Sequence, residues 1–556
     1  MTAAPDEPLT PLTPPAPPPH LPHLPPPTTL YAWFDASSRR HGALTAVDLG
    51  ERGVRYDELR LLAEEFARRV LRVTGSPPAT VALHAASGLD AFAAYLGALR
   101  LGARVVPLHP GHPARRTARI LAAAAPDLVV TDTHGPVPGP GVPVLRLTAA
   151  PQGPPAPPPV ADGTGQAPDL PPLPDDADAV AYLLFTSGST GEPKGVPIRN
   201  AQAVAYLAHT LRTRDLGPGA RVSHTFDLTF DLSVDDLFAT WAAGATLVLP
   251  PPDAFALNPV RYVEEGRLTH WFSVPSLITL ARRTRALRPG CMPTLRHSFF
   301  AGEQLTLAQA ECWARAAPHS TLSNLYGPTE VTVACAGYRL PADPAHWPHT
   351  RNGTVPVGTV HPGLDHLVVD GDGSPCDEGE LLLRGPQRFG GYLDPADDRG
   401  RFARVPGPPR GDTALPAGPP GPDLWYRTGD RVRREGGVLV HLGRLDHQVK
   451  VRGFRVELGE VEAVLRTCPG VTEAVVVLAP EGGGTLLAAY TGAPGLGPAL
   501  SELAAGALPS YMCPGSVTEL ERMPLNANGK TDRRLLLDLL TAPDGRTTAP
   551  VPVAAR

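Results

Sequence analysis

Lysine is almost missing from this chain: of 50 lysine and arginine side chains only three are lysine, Lys194, Lys450 and Lys530. Cysteine is scarce as well. The six cysteines (Cys291, Cys312, Cys335, Cys376, Cys468, Cys513) are scattered with no C-x-x-C pair, which argues against a zinc site and a disulfide framework and suits a reducing, cytoplasmic setting. No apolar run nears the roughly 20 residues that cross a bilayer. The opening stretch "MTAAPDEPLTPLTPPAPPPHLPHLPPP" has neither the basic n-region nor the apolar h-region of a secretory signal. A formal net charge of −5 gives no field that would draw the molecule to nucleic acid or an anionic membrane, so neither is an expected partner.

Proline and glycine, by contrast, are abundant, at 69 and 56 residues. The prolines cluster in residues 5–27, 135–174 and 405–422. Such polar, Pro-rich stretches cannot bury enough apolar area to offset ordering entropy. They predict a disordered tail (1–28) and two extended loops, with a second tail at 541–556. The length of 556 residues calls for more than one domain.

Between the loops the pattern alternates. "RYDELRLLAEEFARRVLRV" (55–73) has helical spacing, "TVALHA" (80–85) reads as a buried strand, and "LDAFAAYLGALRLGA" (89–103) is helical again. Further strands, "RVVPL", "DLVVTD", "AYLLFTS", "TLVLP", "HWFSVPS" and "HSFFAG", are separated by helical stretches. This predicts an α/β fold with mainly parallel sheets, whose ligands bind where strands end. From about 355 short strands and turns take over, with "HLVVDGDGSPCDEGELLLRG" reading as a hairpin. After "GRLDHQVKVRGFRVE" a helix–strand–strand–helix pattern predicts a small α+β domain of roughly 100 residues.

"FTSGSTGEPKG" (185–195) follows the buried strand "AYLLF". Its glycines let the chain turn without Cβ clashes, so backbone N–H groups and hydroxyls can converge on phosphate oxygens, with Lys194 as a point charge. It is not a Walker A loop, because G-x-x-x-x-G-K-[ST] cannot be laid over it. "NLYGPTE" (324–330), "YRTGD" (426–430), "GRLDHQVKVRGFRVELGEVE" (443–462) and "PLNANGKTDRR" (524–534) follow in order. Together these five motifs resemble the adenylate-forming superfamily of acyl-CoA synthetases and luciferase. Within it the chain most resembles adenylation domains of nonribosomal peptide synthetases, over roughly residues 29–540.

The resemblance implies a large N-terminal domain (29–445) of parallel sheets flanked by helices plus a distorted β-barrel-like subdomain, and a small mobile α+β C-terminal domain (446–540). It implies a ligase that joins an amino acid to the α-phosphate of ATP with Mg²⁺ and passes the product to a phosphopantetheine thiol. By the same resemblance Thr186, Ser187, Gly188, Ser189, Thr190, Gly191 and Lys194 hold the β- and γ-phosphates, Glu330 ligates the metal and Thr329 touches the α-phosphate. Tyr326 stacks on adenine, Asn324 bonds its edge, and Asp430 takes the ribose hydroxyls with Arg444. Lys530 is the expected catalytic electrophile, since its three donors can reorient between carboxylate and phosphate. Asp446 matches the hinge about which family members rotate the small domain between the two steps, Lys450 and Arg452 belonging to the second arrangement.

In "FDLTFDLSVDDLFATW" (226–241), Asp231 matches the aspartate that binds a substrate ammonium. The same resemblance makes Leu232, Asp235, Phe272, Phe299, Ala301, Leu325, Val333 and Ala334 the pocket wall. Its apolar members are similar to proline-activating enzymes, whereas Asp235 would favour a diamino acid or pair with an arginine. Asp227, Asp231 and Asp235 also stand four apart, an acidic stripe at helical spacing. No carrier-domain serine motif follows Lys530, so a free-standing peptidyl carrier protein is the expected thiol acceptor, with a small activator protein as a further partner. Coenzyme A is the alternative acceptor, and an acyl-CoA synthetase or a catalytically silent binding protein the alternative function.

Overall fold

The computed structural model describes residues 27–133, 135, 137, 141–147, 168–188, 192–251, 258–404, 419–446, 448–479, 484–525 and 531–542. Most of the expected tails and of both Pro-rich loops, and Ser189, Thr190, Gly191 and Lys530, lie outside these residues.

Two sheets form the large domain. One has six strands, Val144–Arg146, Leu128–Thr131, Thr80–His84, Arg104–Leu108, Val180–Thr186 and Lys194–Arg199 in spatial order, all parallel except the last pair. The other has nine, with Thr45–Asp48, Thr246–Val248, Arg221–Ser223, His270–Ser273, His297–Phe300 and Thr321–Tyr326 parallel at its centre and antiparallel strands at its edges. All five residues of Thr80–His84 are buried, as expected of a strand covered on both faces. Helix Leu89–Arg100 is apolar almost all round because it lies inside: Phe92 packs edge-on against Trp241 and Tyr95 against Phe238. Its Gly97 lets helix Tyr56–Thr74 approach closely, since a Cβ there would stand 2.6 Å from the Ala63 carbonyl oxygen.

An antiparallel five-stranded sheet, Asp365–Val369, Glu378–Arg384, Trp425–Glu435, Phe402–Ala403 and Val438–Arg444, occupies the place expected for the barrel-like subdomain. The predicted hairpin forms its first two strands. The small domain holds strands Val471–Ala479, Thr485–Gly492 and Ser516–Glu519, flanked by helices Leu458–Arg466, Gly497–Ala507 and Arg533–Thr541. Its leading hairpin, Gln448–Val451 with Phe454–Glu457, turns at Arg452 and Gly453, whose φ values of 49° and 85° are those of a type I′ turn.

The acidic stripe is not realised. Asp227 sits in a turn, where it accepts from the Thr229 amide, the helix begins only at Leu232, and Asp235 opens a π-helical turn, Asp235–Ala239. The three carboxylates therefore share no helix face. Among the described residues no helix is long and apolar enough to cross a membrane, and no cluster of His, Cys, Asp and Glu could by itself hold a metal ion.

Candidate active site

A cavity of about 890 Å³ opens at the C-terminal ends of the nine-stranded sheet, where ligands of open α/β sheets collect. Asp231, Leu232, Ala301, Leu325, Tyr326 and Val333 line its inner part. The exposed Arg282 and Arg283 also line it and mark where it meets solvent.

One end is built from strand termini of the large domain. Asn324 is buried on strand Thr321–Tyr326, and its Nδ2 donates to the carbonyls of Val355 (3.1 Å) and Pro356 (3.0 Å). Its Oδ1 has no partner, leaving an acceptor in a cavity wall, where an unsatisfied polar atom is costly. Tyr326 donates its hydroxyl to Asp430 at 2.6 Å, and Asp430 also accepts from Arg444 at 2.9 Å. His441 stands 3.2 Å from the same carboxylate. Burial pushes the Asp430 carboxyl up, but Arg444 and its hydrogen-bond donors outweigh this and hold it below the usual carboxylate range. Arg444 forks onto Asp446 as well, with both bonds at 2.7 Å, so the expected hinge residue is tied directly to the site.

The glycine-rich stretch that begins at Phe185 meets the small domain. Ser187 Oγ donates to the Arg455 carbonyl (2.9 Å) and accepts from the Glu457 amide (3.1 Å), while the Gly188 amide donates to Glu460 (3.3 Å). A side chain at 188 is impossible here, because its Cβ would fall 2.0 Å from the Glu192 carbonyl oxygen. Lys194 pairs with Asp397 at 2.9 Å and lies over the Tyr392 ring. Glu330 is 0% exposed, and Arg455 Nη1 reaches both its oxygens, at 2.8 and 2.9 Å. Tyr392 donates to it at 2.6 Å. Burial alone would raise Glu330, yet Arg455 and Tyr392 hold it at about 2. Arg455, Tyr392 and Glu460 were not singled out from sequence; Arg455 and Glu460 lie inside a motif that was, whereas Tyr392 carried no signal.

The inner end centres on Asp231, only 6% exposed and pushed up to about 6 by burial, with the Thr329 hydroxyl and the Lys450 ammonium opposing that rise. Burial lowers Lys450, and Asp231 counters this. Lys450 comes from the docked hairpin, whose Gly453 amide donates to Glu303 at 2.6 Å and whose Phe454 packs on Phe230. Of the expected pocket wall, Asp231, Leu232, Ala301, Leu325 and Val333 reach the cavity. Phe272, Phe299 and Asp235 are set behind it, around a separate void of about 10 Å³. Asp235 does not face the cavity as an amine acceptor, because it is paired with Arg214 and accepts from Tyr206 at 2.6 Å. Ala334 is buried, its carbonyl held by Gln387 at 2.8 Å. That contact steadies an unusual segment: Thr332 and Val333 both adopt positive φ (56° and 66°), costly for β-branched residues.

A family model described as AMP-binding enzyme matches residues 34–393, and one described as AMP-binding enzyme C-terminal domain matches residues 460–530. Phosphinothricin tripeptide synthetase PhsC of Streptomyces viridochromogenes is 35% identical over 535 residues, covering 92% of this chain but 45% of that protein. An L-proline--[L-prolyl-carrier protein] ligase of Streptomyces coelicolor is 35% identical over 542 residues, 90% of this chain and 95% of that protein. The solved Vibrio cholerae adenylation domain AlmE, in complex with glycyl-adenosine-5'-phosphate, matches with a TM-score of 0.75 at 26% identity, covering 93% of this chain and 98% of that one. The chain belongs to the AMP-binding enzymes, among the adenylation domains of nonribosomal peptide synthetase type.

Proposed function

We propose that the protein activates an amino acid as its adenylate and then passes the aminoacyl group to the pantetheine thiol of a separate carrier protein, in natural-product biosynthesis. The observation that carries this reading is Asp231, a buried carboxylate on the same cavity as Asn324, Tyr326 and Asp430. A substrate ammonium would satisfy it, whereas a non-amino acid would leave this desolvated carboxylate with only the Thr329 hydroxyl and the Lys450 ammonium to oppose its burial. An acyl-CoA synthetase is therefore the weaker reading.

In the first step an oxygen of the amino acid carboxylate attacks the α-phosphorus of ATP, and the bond to pyrophosphate breaks. The unpartnered Asn324 Oδ1 suits the amino group of adenine, beside Tyr326, and Asp430 with Arg444 suits the ribose hydroxyls. Thr186, Ser187, Gly188 and Lys194, with Ser189, Thr190 and Gly191, would hold the outgoing phosphates, Thr329 the α-phosphate, and Lys530 would neutralise the charge that builds there. Glu330 would hold Mg²⁺, which when bound shields phosphate charge. A single protein carboxylate with phosphate oxygens is an ordinary Mg²⁺ environment.

The observed arrangement supports a second step. Arg455 supplies the positive charge at Glu330, and Glu460 puts a carboxylate on the Gly188 amide, so a cation and an anion of the small domain stand where metal and phosphate would otherwise sit. The nucleoside and acyl parts of the cavity stay open. This suits a state after pyrophosphate has left, with the small domain turned about Asp446. The thiol, on losing its proton, attacks the acyl carbon, a C–S bond forms and the C–O bond to AMP breaks. Arg282 and Arg283 at the mouth suit the phosphate of a pantetheine arm. A free-standing carrier and a small activator protein complete the proposed partners. The test is amino-acid-dependent exchange of labelled pyrophosphate into ATP across proline, small neutral and diamino acids; a folded protein that exchanges with none of them refutes the reading.

A further inference from the structure

The pocket residues that fail to reach the cavity are connected to one another. Asp231 and Leu232 line the cavity, and Asp235 lies about one helical turn further on. Ala301 lines it, and Phe299 stands two residues earlier along the neighbouring strand, on the same face. One step deeper along both elements therefore leads to Asp235 and Phe299, and the side chain found there is Arg214. This residue caps helix Asn200–Thr213, where the helix dipole favours a cation.

The Arg214 guanidinium pairs with Asp235 and donates to the Tyr206 hydroxyl at 2.9 Å, and Tyr206 in turn donates to Asp235 at 2.6 Å. The guanidinium carbon sits 4.6 Å from the Phe299 ring centroid and 5.3 Å from that of Phe272. Arg214, Asp235 and Tyr206 are 6%, 3% and 0% exposed. The void left among them, about 10 Å³, has room for at most one water. No side-chain methylene of a substrate fits there, and Asp235 has no free charge for an amine.

We infer that the Arg214–Asp235–Tyr206 triad, held against Phe272 and Phe299, is the floor of the acyl site and restricts the activated amino acid to a short, uncharged side chain. Arg214 is thus a specificity-determining residue that acts by occupying space and by neutralising Asp235. The inference rests on the adenylation reading and decides between its two substrate classes, small neutral acids and diamino acids.

The experiment compares pyrophosphate exchange by the wild type, Arg214→Ala and Arg214→Ala/Asp235→Ala with glycine, alanine, proline, leucine, 2,4-diaminobutyrate, ornithine and glutamate, each protein checked by thermal melt. The wild type is expected to prefer glycine, alanine or proline. In Arg214→Ala the freed, buried Asp235 carboxylate should raise kcat/KM for diaminobutyrate or ornithine, relative to alanine, by at least about tenfold. Should that variant not fold, the double variant, which leaves no buried charge, should instead gain leucine by about tenfold or more, as the floor is removed. Wild-type preference for a diamino acid or glutamate, or unchanged preference ratios in whichever variants fold, overturns the floor assignment while leaving adenylation intact. No wild-type exchange with any acid overturns adenylation itself, and the floor with it.

Discussion

Replacing Arg455 with alanine separates the two proposed steps. Glu330 is wholly buried, and Arg455 Nη1 bonds both its oxygens. Removing one partner of a buried pair costs about 3–5 kcal/mol because the other charge is left uncompensated. With about 1.4 kcal/mol per factor of ten, the docked arrangement should be disfavoured by roughly 10² to 4 × 10³. On the proposed rotation the penalty would fall on that arrangement alone, because with the small domain turned away Glu330 would meet water or metal. Other docking contacts survive: Arg116 on Glu460 at 2.7 Å, Gly453 on Glu303, and Phe454 on Phe230 with ring centroids 5.5 Å apart. Transfer of the aminoacyl group to a purified carrier protein, followed by intact-protein mass, should slow by about 10² or more. Exchange of pyrophosphate should change by less than about threefold, since on the proposed rotation the lost pair would be absent from that step. Equal loss of exchange and transfer would refute the reasoning, for Arg455 would then serve adenylation or overall folding.

Gly453→Val should act in the same direction for a steric reason: at φ +85° its Cβ would lie 2.3 Å from Val274 Cγ1, so transfer is lost while exchange persists, and Val274→Ala partly restores transfer. Asp231→Asn should raise the amino acid KM in exchange by on the order of 10²–10³, with little change in the KM for ATP. Asp231 is pushed up to about 6, and in the proposed reading its ionised form would bind the ammonium, so the wild-type amino acid KM should climb as pH falls through about 6 and level off above it; a flat profile from pH 5 to 8 counts against the assignment. Lys530→Ala should abolish exchange yet still transfer the aminoacyl group from a chemically made adenylate; intact exchange would remove Lys530 from the first step.

The fold class was legible because parallel strands covered on both faces are continuous apolar runs, and "TVALH", "RVVPL" and "YLLF" are such runs. Helix Tyr56–Thr74 was legible from its 3.6-residue period, and the tight turn at Gly188 from its glycine, whose freedom to turn is local. Pairing of buried charges was not legible, because a carboxylate is satisfied by whatever cation the packing brings near. Asp235 meets Arg214 from 21 residues away, and Glu330 meets Arg455 across 125. The helical spacing of Asp227, Asp231 and Asp235 misled for a related reason: the turn before Leu232 and the π-helical turn at Asp235 break the period that spacing assumes. Sequence alone determined which segments become strands, helices and glycine-rich turns, since those follow from local periodicity and backbone freedom. Only the tertiary structure decided which acidic side chains remain free to bind a substrate and which are already neutralised, because that depends on long-range contacts in a low-dielectric interior.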